Sequence, residues 1–187
     1  MKNNNRVVAV VGMAGSGKSE VASVCVAHGY IRVRFGDVTD LEMKKRGMTV
    51  TETNERLCRE QLRKELGMGA YAILNQPLID AALAKANVVA DGLYSWEEYL
   101  SLKLYYGDRL SLLAVYSSPQ TRYKRLSHRL VRPLTLSEAS SRDHAEIENL
   151  NKGGPIAMAD YTLNNEYGLE ELRRQSEEVL RLIHASD

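Results

Sequence analysis

A chain of 187 residues, 44% hydrophobic and 26% charged, has the length and balance of one soluble globular domain with a sizeable core. Its net charge of +1 sets up no global field for DNA, RNA or an anionic membrane, so any attraction for phosphate has to be local. Met1-Lys2-Asn3-Asn4-Asn5 is too polar for a signal peptide, no apolar run approaches membrane-spanning length, and Cys25 and Cys58 lack metal-ligand spacing, which together read as a cytoplasmic protein with reduced thiols.

Apolar, β-branched Arg6 to Val11 predicts a buried strand. Gly12-Met13-Ala14-Gly15-Ser16-Gly17-Lys18-Ser19 follows and matches the phosphate-loop pattern G-x-x-x-x-G-K-[ST] at every fixed position. In that pattern glycines let backbone N–H groups turn towards a nucleotide's phosphates, the lysine reaches the β- and γ-phosphates and the serine hydroxyl ligates Mg²⁺. Ser19 to Val26 predicts a helix whose N-terminus adds positive potential to the same site. Tyr30 to Phe35 alternates as a second strand. A long helical region follows, broken near Gly47-Met48-Thr49 and Gly67-Met68-Gly69, with Pro77 in the first turn of a further helix or at a kink.

Asn87 to Ala90 reads as a third strand ending at Asp91-Gly92, Tyr94 to Tyr106 as a helix, and Leu110 to Tyr116 as a fourth strand after which Pro119 opens a helix. Ser137 to Leu150 is helical, Asn151 to Pro155 a turn, Tyr161 to Leu163 a fifth strand, and Gly168 to Ile183 a closing amphipathic helix. Strands alternating with helices imply a five-stranded parallel sheet covered on both faces, with ligands beyond the carboxyl ends of the strands.

Five loops therefore carry the candidate chemistry. Gly12 to Ser19 is the first. In the second, Asp37 after Gly36 would act as general base towards an acceptor hydroxyl or as the cap of the next helix. In the third, Asp91 after an apolar strand would support Mg²⁺ with Ser19, or form a simple turn. The fourth opens a helix with Arg122, Arg125 and Arg129 on one face and Arg132 beyond. These guanidinium groups would clamp phosphate or form a solvated surface, and Arg142-Asp143 would add a phosphate contact or an exposed ion pair. In the fifth, Asn164 and Asn165 would read a purine edge or shape a turn.

These features resemble the P-loop nucleotide kinases, in particular the adenylate-kinase-related and dephospho-CoA-kinase-like proteins of archaea. Gly36-Asp37 is similar to the Gly-Asp after the second strand of adenylate kinases. Lys45-Arg46-Gly47, Asn54 and Leu62 to Ala70 resemble the acceptor-side segment, and Asp91-Gly92 the third-strand signature. Ser118-Pro119 with Arg122 and Arg125, then Arg142-Asp143 with Glu146, resembles the lid, and Ala159 to Asn165 the Ala-Asp-x-x-x-Asn ending. Three departures stand out. Tyr94 and Val38-Thr39-Asp40-Leu41 occupy places where the family carries arginines for an acceptor's phosphate, and the lid is short between Arg132 and Ser137.

The expectation is a three-layer α/β P-loop kinase fold with a core at 5–37, 85–122 and 156–187, a helical acceptor-binding insertion at about 38–84 and a lid at about 123–155. What the resemblance implies is ATP- and Mg²⁺-dependent phosphoryl transfer to a small-molecule acceptor: a nucleotide, nucleoside or dephospho-CoA-like compound. Residues 12–19 with Asn164 and Asn165 would bind the nucleotide, and Ser19 and Asp91 the metal. Lys18, Asp37, Arg125, Arg129 and Arg142 would carry the transfer. The alternatives are a nucleotide-gated regulatory NTPase without such an acceptor and a kinase of nucleic-acid hydroxyls, the latter disfavoured by the neutral charge balance.

Overall fold

The aliphatic runs become strands in the computed structural model, which describes residues 4–130 and 133–185. Arg132 lies outside the described residues. Strands β1 (Val7–Val11), β2 (Ile31–Arg34), β3 (Val88–Asp91), β4 (Leu110–Tyr116) and β5 (Tyr161–Asn164) form one sheet in the order β2-β3-β1-β4-β5, with every neighbouring pair parallel. Parallel neighbours require crossover connections, and helices supply them on both faces. They are α1 (Lys18–Ala27), α2 (Asp37–Lys45), α3 (Glu52–Leu66), α4 (Ala70–Leu83), α5 (Trp96–Tyr106), α6 (Pro119–Ser127), α7 (Leu136–Glu148), α8 (Gly153–Ala157) and α9 (Leu169–Ala185).

Central β1 explains why its sequence is apolar without alternation. All five of its side chains are buried. Val7, Ala9 and Val11 join a core with Phe35 of the β2–α2 loop and with residues of α4 and α5, whereas Val8 and Val10 join a second core with α1 and α9. A strand covered on both faces has no polar side to show. Helix α9 shows the opposite pattern: Leu172, Ser176, Val179, Leu180 and Ile183 are buried, spaced for a single helical face. Among the described residues no helix is long and apolar enough to cross a membrane.

Several boundaries differ from the sequence expectation. Helix α5 starts at Trp96 rather than Tyr94, because Ser95 caps it: the Ser95 hydroxyl accepts from the Glu98 N–H, and the Glu98 carboxylate accepts from the Ser95 N–H. Tyr94 is thereby left in a loop. Pro77 lies inside α4, and the turn at 151–155 runs into the short helix α8, with Pro155 in its first turn. Helix α6 ends at Ser127, so Arg129 lies beyond it and does not continue the face of Arg122 and Arg125.

Arg122 is not on a solvated or ligand-facing surface. It is 3% exposed, and its guanidinium forms a two-pronged bond to Asp143 of α7 at 2.7 and 2.6 Å while donating to the Ser117 and Ala14 carbonyls at 3.0 and 3.2 Å. Tyr123 donates its hydroxyl to the same carboxylate at 2.9 Å. The Arg142-Asp143 dipeptide is thus split: Asp143 is buried against Arg122, and Arg142 faces Glu146 of its own helix at 3.1 Å. Removing one partner of a buried, well-bonded ion pair strands the other charge. Arg122→Met is expected to cost about 3–5 kcal/mol in equilibrium urea unfolding. The double variant Arg122→Met, Asp143→Leu should recover most of that loss.

Candidate active site

Strand β1 delivers the chain into the loop 12–19, and the loop's shape is fixed from outside. Gly17 has φ of 108°, and a Cβ there would stand 2.3 Å from the Asn165 side-chain nitrogen, so only glycine fits. That nitrogen donates to the Ser16 carbonyl at 2.7 Å, and the Ser117 hydroxyl donates to the Asn165 carbonyl at 3.0 Å. Arg125 closes the arrangement, donating to Ser117 Oγ at 2.9 Å and to the Asn165 carbonyl at 2.7 Å.

Inside the loop, Lys18 Nζ donates to the carbonyls of Gly12 at 2.8 Å and Met13 at 3.0 Å. The Ser16 hydroxyl is buried and has no hydrogen-bond partner. Burial, with the nearby Lys152 charge next in size, pushes the Lys18 ammonium down to about 7. A buried orphan hydroxyl and a destabilised ammonium beside a helix N-terminus suit a polyphosphate, which would accept from the one and restore the charge of the other. A cavity of about 310 Å³ opens here, with Lys18, Ser19, Arg125, Arg129 and Asn165 in its walls. Ser19 is exposed in the first turn of α1, where its hydroxyl could reach a metal bound to the phosphates.

The second side of the site is built on β3 and the loop after it. Asp91, the last residue of β3, accepts from Arg32 of the neighbouring β2 through both Nε, at 3.0 Å, and Nη2. Its other carboxylate oxygen would be the one to face a metal. Tyr94 follows, its hydroxyl 3.3 and 3.5 Å from the points where a Cβ of Gly92 and of Gly36 would stand, and its ring edge-on to Tyr71 at 5.7 Å. Burial, with Glu98 and Asp91 next, raises this phenol to about 12. Lys152 Nζ lies 5.3 Å from the centre of the Tyr94 ring and donates to Glu146 at 2.8 Å. Burial alone would raise the Glu146 carboxyl, but Lys152, Arg142 and Lys18 overcome it and hold it at about 2.

The sequence-derived residues are therefore distributed unevenly. Lys18, Ser19, Arg125, Arg129 and Asn165 converge on one cavity. Arg142 lies on α7, and burial, with the Arg142 charge next, pushes the Arg129 guanidinium down. Asp37 is the first residue of α2 and not its cap, a position taken by Gly36. Its carboxylate makes a half-exposed ion pair with Arg34 at 3.3 Å. The two asparagines divide: Asn164 forms a turn, accepting from the Glu166 N–H at 3.1 Å, while the Asn165 amide is spent on the loop backbone and has no free edge for a base. Lys152 was invisible in the sequence, because a lysine in a Gly-Pro turn signals solvent; only its 1% exposure marks it out. Cys25 and Cys58 are both buried, and burial pushes the Cys25 thiol up to about 12, so neither is activated. Among the described residues no cluster of His, Cys, Asp and Glu forms a ready metal site.

Comparison with known proteins bears on this geometry. The profile of a family described as an AAA domain matches residues 8–149. A UPF0200 protein of Pyrococcus abyssi is 35% identical over an alignment covering 95% of this chain and 96% of its own length. Another from Saccharolobus islandicus is 36% identical, covering 93% and 92%. Among solved structures, TT1252 from Thermus thermophilus superposes with a TM-score of 0.68 at 19% identity, covering 95% of this chain and 97% of that one. A gluconokinase from Sinorhizobium meliloti gives 0.60 at 18% identity, covering 99% and 97%, and a shikimate kinase from Bacteroides thetaiotaomicron 0.60 at 13%, covering 94% and 98%. At these identities the structural likeness establishes the fold, a P-loop kinase-type α/β sandwich.

Two measurements follow from the geometry. Asn165→Ala removes the amide that donates to the Ser16 carbonyl at 2.7 Å. It is expected to weaken triphosphate binding by about tenfold in calorimetry, with the circular dichroism of the fold retained. Glu98 is fully buried, and burial raises its carboxyl to about 7 from an unfolded value of 4.5. Between those values the folded chain holds a proton that the unfolded chain has released, so stability falls as pH rises through this window. Glu98→Gln should match the parent near about pH 4 and exceed it by about 3 kcal/mol above about pH 8 in chemical denaturation.

Proposed function

This chain belongs to the UPF0200 family and, through residues 8–149, to the AAA-domain family, and from that membership and the geometry of the loop we propose that it is an ATP- and Mg²⁺-dependent small-molecule kinase. The observation that carries the reading is the anion cradle itself: Lys18 folded onto the Gly12 and Met13 carbonyls beside the unpartnered Ser16 hydroxyl, in a loop buttressed by Asn165. Lys18 and the Ser16 hydroxyl are two donors that support a phosphate there. Gluconokinases and shikimate kinases sharing the fold support a small hydroxylated acceptor. The order of motifs supports an adenylate-kinase-related or dephospho-CoA-kinase-like place within the superfamily.

In this mechanism Gly12 to Ser19 bind the phosphates, and Ser19 and Asp91 would hold Mg²⁺, which would supply neutralisation of the phosphate charge. The acceptor sits beyond β2 and β3, below an insertion at about 38–84. Asp37 takes the proton of its hydroxyl as the oxygen attacks the γ-phosphorus in line, and the bond to the β,γ-bridging oxygen breaks to release ADP. Lys18, Arg125, Arg129 and Arg142 neutralise charge on the transferring group, and the segment at about 123–155 acts as the lid. A second reading, a nucleotide-gated NTPase, is favoured by one observation: the Tyr94 hydroxyl lies beside Gly36 and Gly92, and Tyr94 stands where the resembled kinases carry an arginine for an acceptor's phosphate.

The test is ADP release from Mg²⁺-ATP against dephospho-CoA, nucleoside monophosphates, nucleosides, gluconate and shikimate. Stimulation by one acceptor is expected, abolished in Lys18→Ala. Asp37→Asn should lower kcat by about 10²-fold or more at unchanged ATP affinity. A panel without stimulation would overturn the kinase reading in favour of the gated NTPase.

A further inference from the structure

Lys152 is the least explained charge in the molecule. A lysine 1% exposed has to be paired, and its one carboxylate partner, Glu146, is shared with Arg142 at 3.1 Å. Around them stand Lys18, whose nearest bonds are to backbone carbonyls, and the Arg32–Asp91 pair. Lys152 and Arg142 thus share the carboxylate of Glu146 and Arg32 is paired with Asp91, while Glu98, another acid acting on Lys152, is held towards its neutral form by burial. The cluster has room for negative charge that the protein does not itself supply.

The position of Lys152 is also fixed with unusual care. The Trp96 N–H donates to the Leu150 carbonyl at 3.3 Å, and the Lys152 N–H to the Glu146 carbonyl at 3.2 Å. Gly154 lies flat on the Trp96 indole, where a Cβ would stand 2.6 Å from the ring. The turn is thereby docked on α5. Below the ammonium, the Tyr94 ring belongs to a loop whose Leu93 N–H donates to the Val10 carbonyl of β1 at 3.3 Å, two residues before the phosphate loop begins. Lys152 is therefore carried on core elements, not on a freely moving arm, above a ring whose loop is tied to the end of β1. Its charge is the largest single one acting on Lys18.

We propose that Lys152 is a further fixed cation of the phosphoryl-transfer site, paired with Glu146 when no nucleotide is bound and donating to the γ-phosphoryl oxygens when nucleotide is bound. The inference rests on the nucleotide-binding reading above and adds to Arg125, Arg129 and Arg142 a buried lysine outside the phosphate loop. Glu146 is then a positioning residue: it holds the Lys152 side chain at the site, and its carboxylate opposes the burial that pushes the ammonium down. A purely structural ion pair would serve stability alike whichever nucleotide is present. A γ-phosphoryl ligand would distinguish a triphosphate from a diphosphate.

The experiment compares calorimetric affinities for Mg²⁺-ADP and for a non-hydrolysable Mg²⁺-ATP analogue in the full chain, Lys152→Met, and the double variant Lys152→Met, Glu146→Gln, which leaves no stranded carboxylate if the single variant fails to fold. Loss of about tenfold in analogue affinity, with ADP affinity within about twofold of the parent, is the expected result in both variants. Lys152→Arg should restore part of the preference. Equal weakening of both nucleotides, or no change in either, would overturn the assignment while leaving the nucleotide reading intact. Absence of binding by the parent chain would overturn both.

Discussion

A loop that turns its N–H groups inward to meet phosphate turns carbonyl oxygens away from it, and those carbonyls must find donors. Much of this molecule answers that one requirement. The Ala14 carbonyl takes Arg122 from α6, the Ser16 carbonyl takes Asn165 from just beyond β5, and the Gly12 and Met13 carbonyls take Lys18. Arg122 can leave water to do so only because Asp143 comes with it from α7. The placement of α6, α7 and the β5 terminus around the loop is therefore an electrostatic necessity as well as a matter of packing. A single buried guanidinium connects the loop to the helices that the site needs on its open side.

The sheet and the loop were legible in the sequence because their signals are local. Val7 to Val11 is apolar at every position, as a strand buried on both faces must be, and the glycines and lysine of 12–19 have fixed spacing. What could not be read is what depends on partners distant in the chain. Arg122 looks like any surface arginine until Asp143 is brought to it, and Asn165 looks like a turn residue until the Ser16 carbonyl lies against its amide. Arg129 fitted a helical face that the chain ends one turn early at Ser127. Lys152 sits among residues that usually mean solvent, and its burial arises from the docking of its turn on Trp96. Helix periodicity and turn propensity are weak against such tertiary contacts.

The charges assembled at the loop are held in a state that disfavours them individually. Lys18 is pushed down by burial and by Lys152, and Glu146 is pulled down by three cations at once. Such a site is stabilised by the ligand that supplies the missing negative charge, so occupancy and folding stability are thermodynamically linked. Strain of this kind concentrates where chemistry is to be done, and here it falls beside a cavity that opens onto the phosphate loop.

The two bonds from Lys18 to the Gly12 and Met13 carbonyls have a bearing on selectivity. An entering anion does not meet a bare ammonium; it competes with an internal ligand already seated. Inorganic phosphate, sulfate or a carboxylate offers little beyond what the two carbonyls provide, so exchange brings such ions almost no net gain. A chain of phosphates reaching the loop amides and the lysine together gains at several points for the same displacement. On the proposed nucleotide-binding reading, the loop's own backbone would thus act as a filter against abundant small anions that charge alone would have let enter.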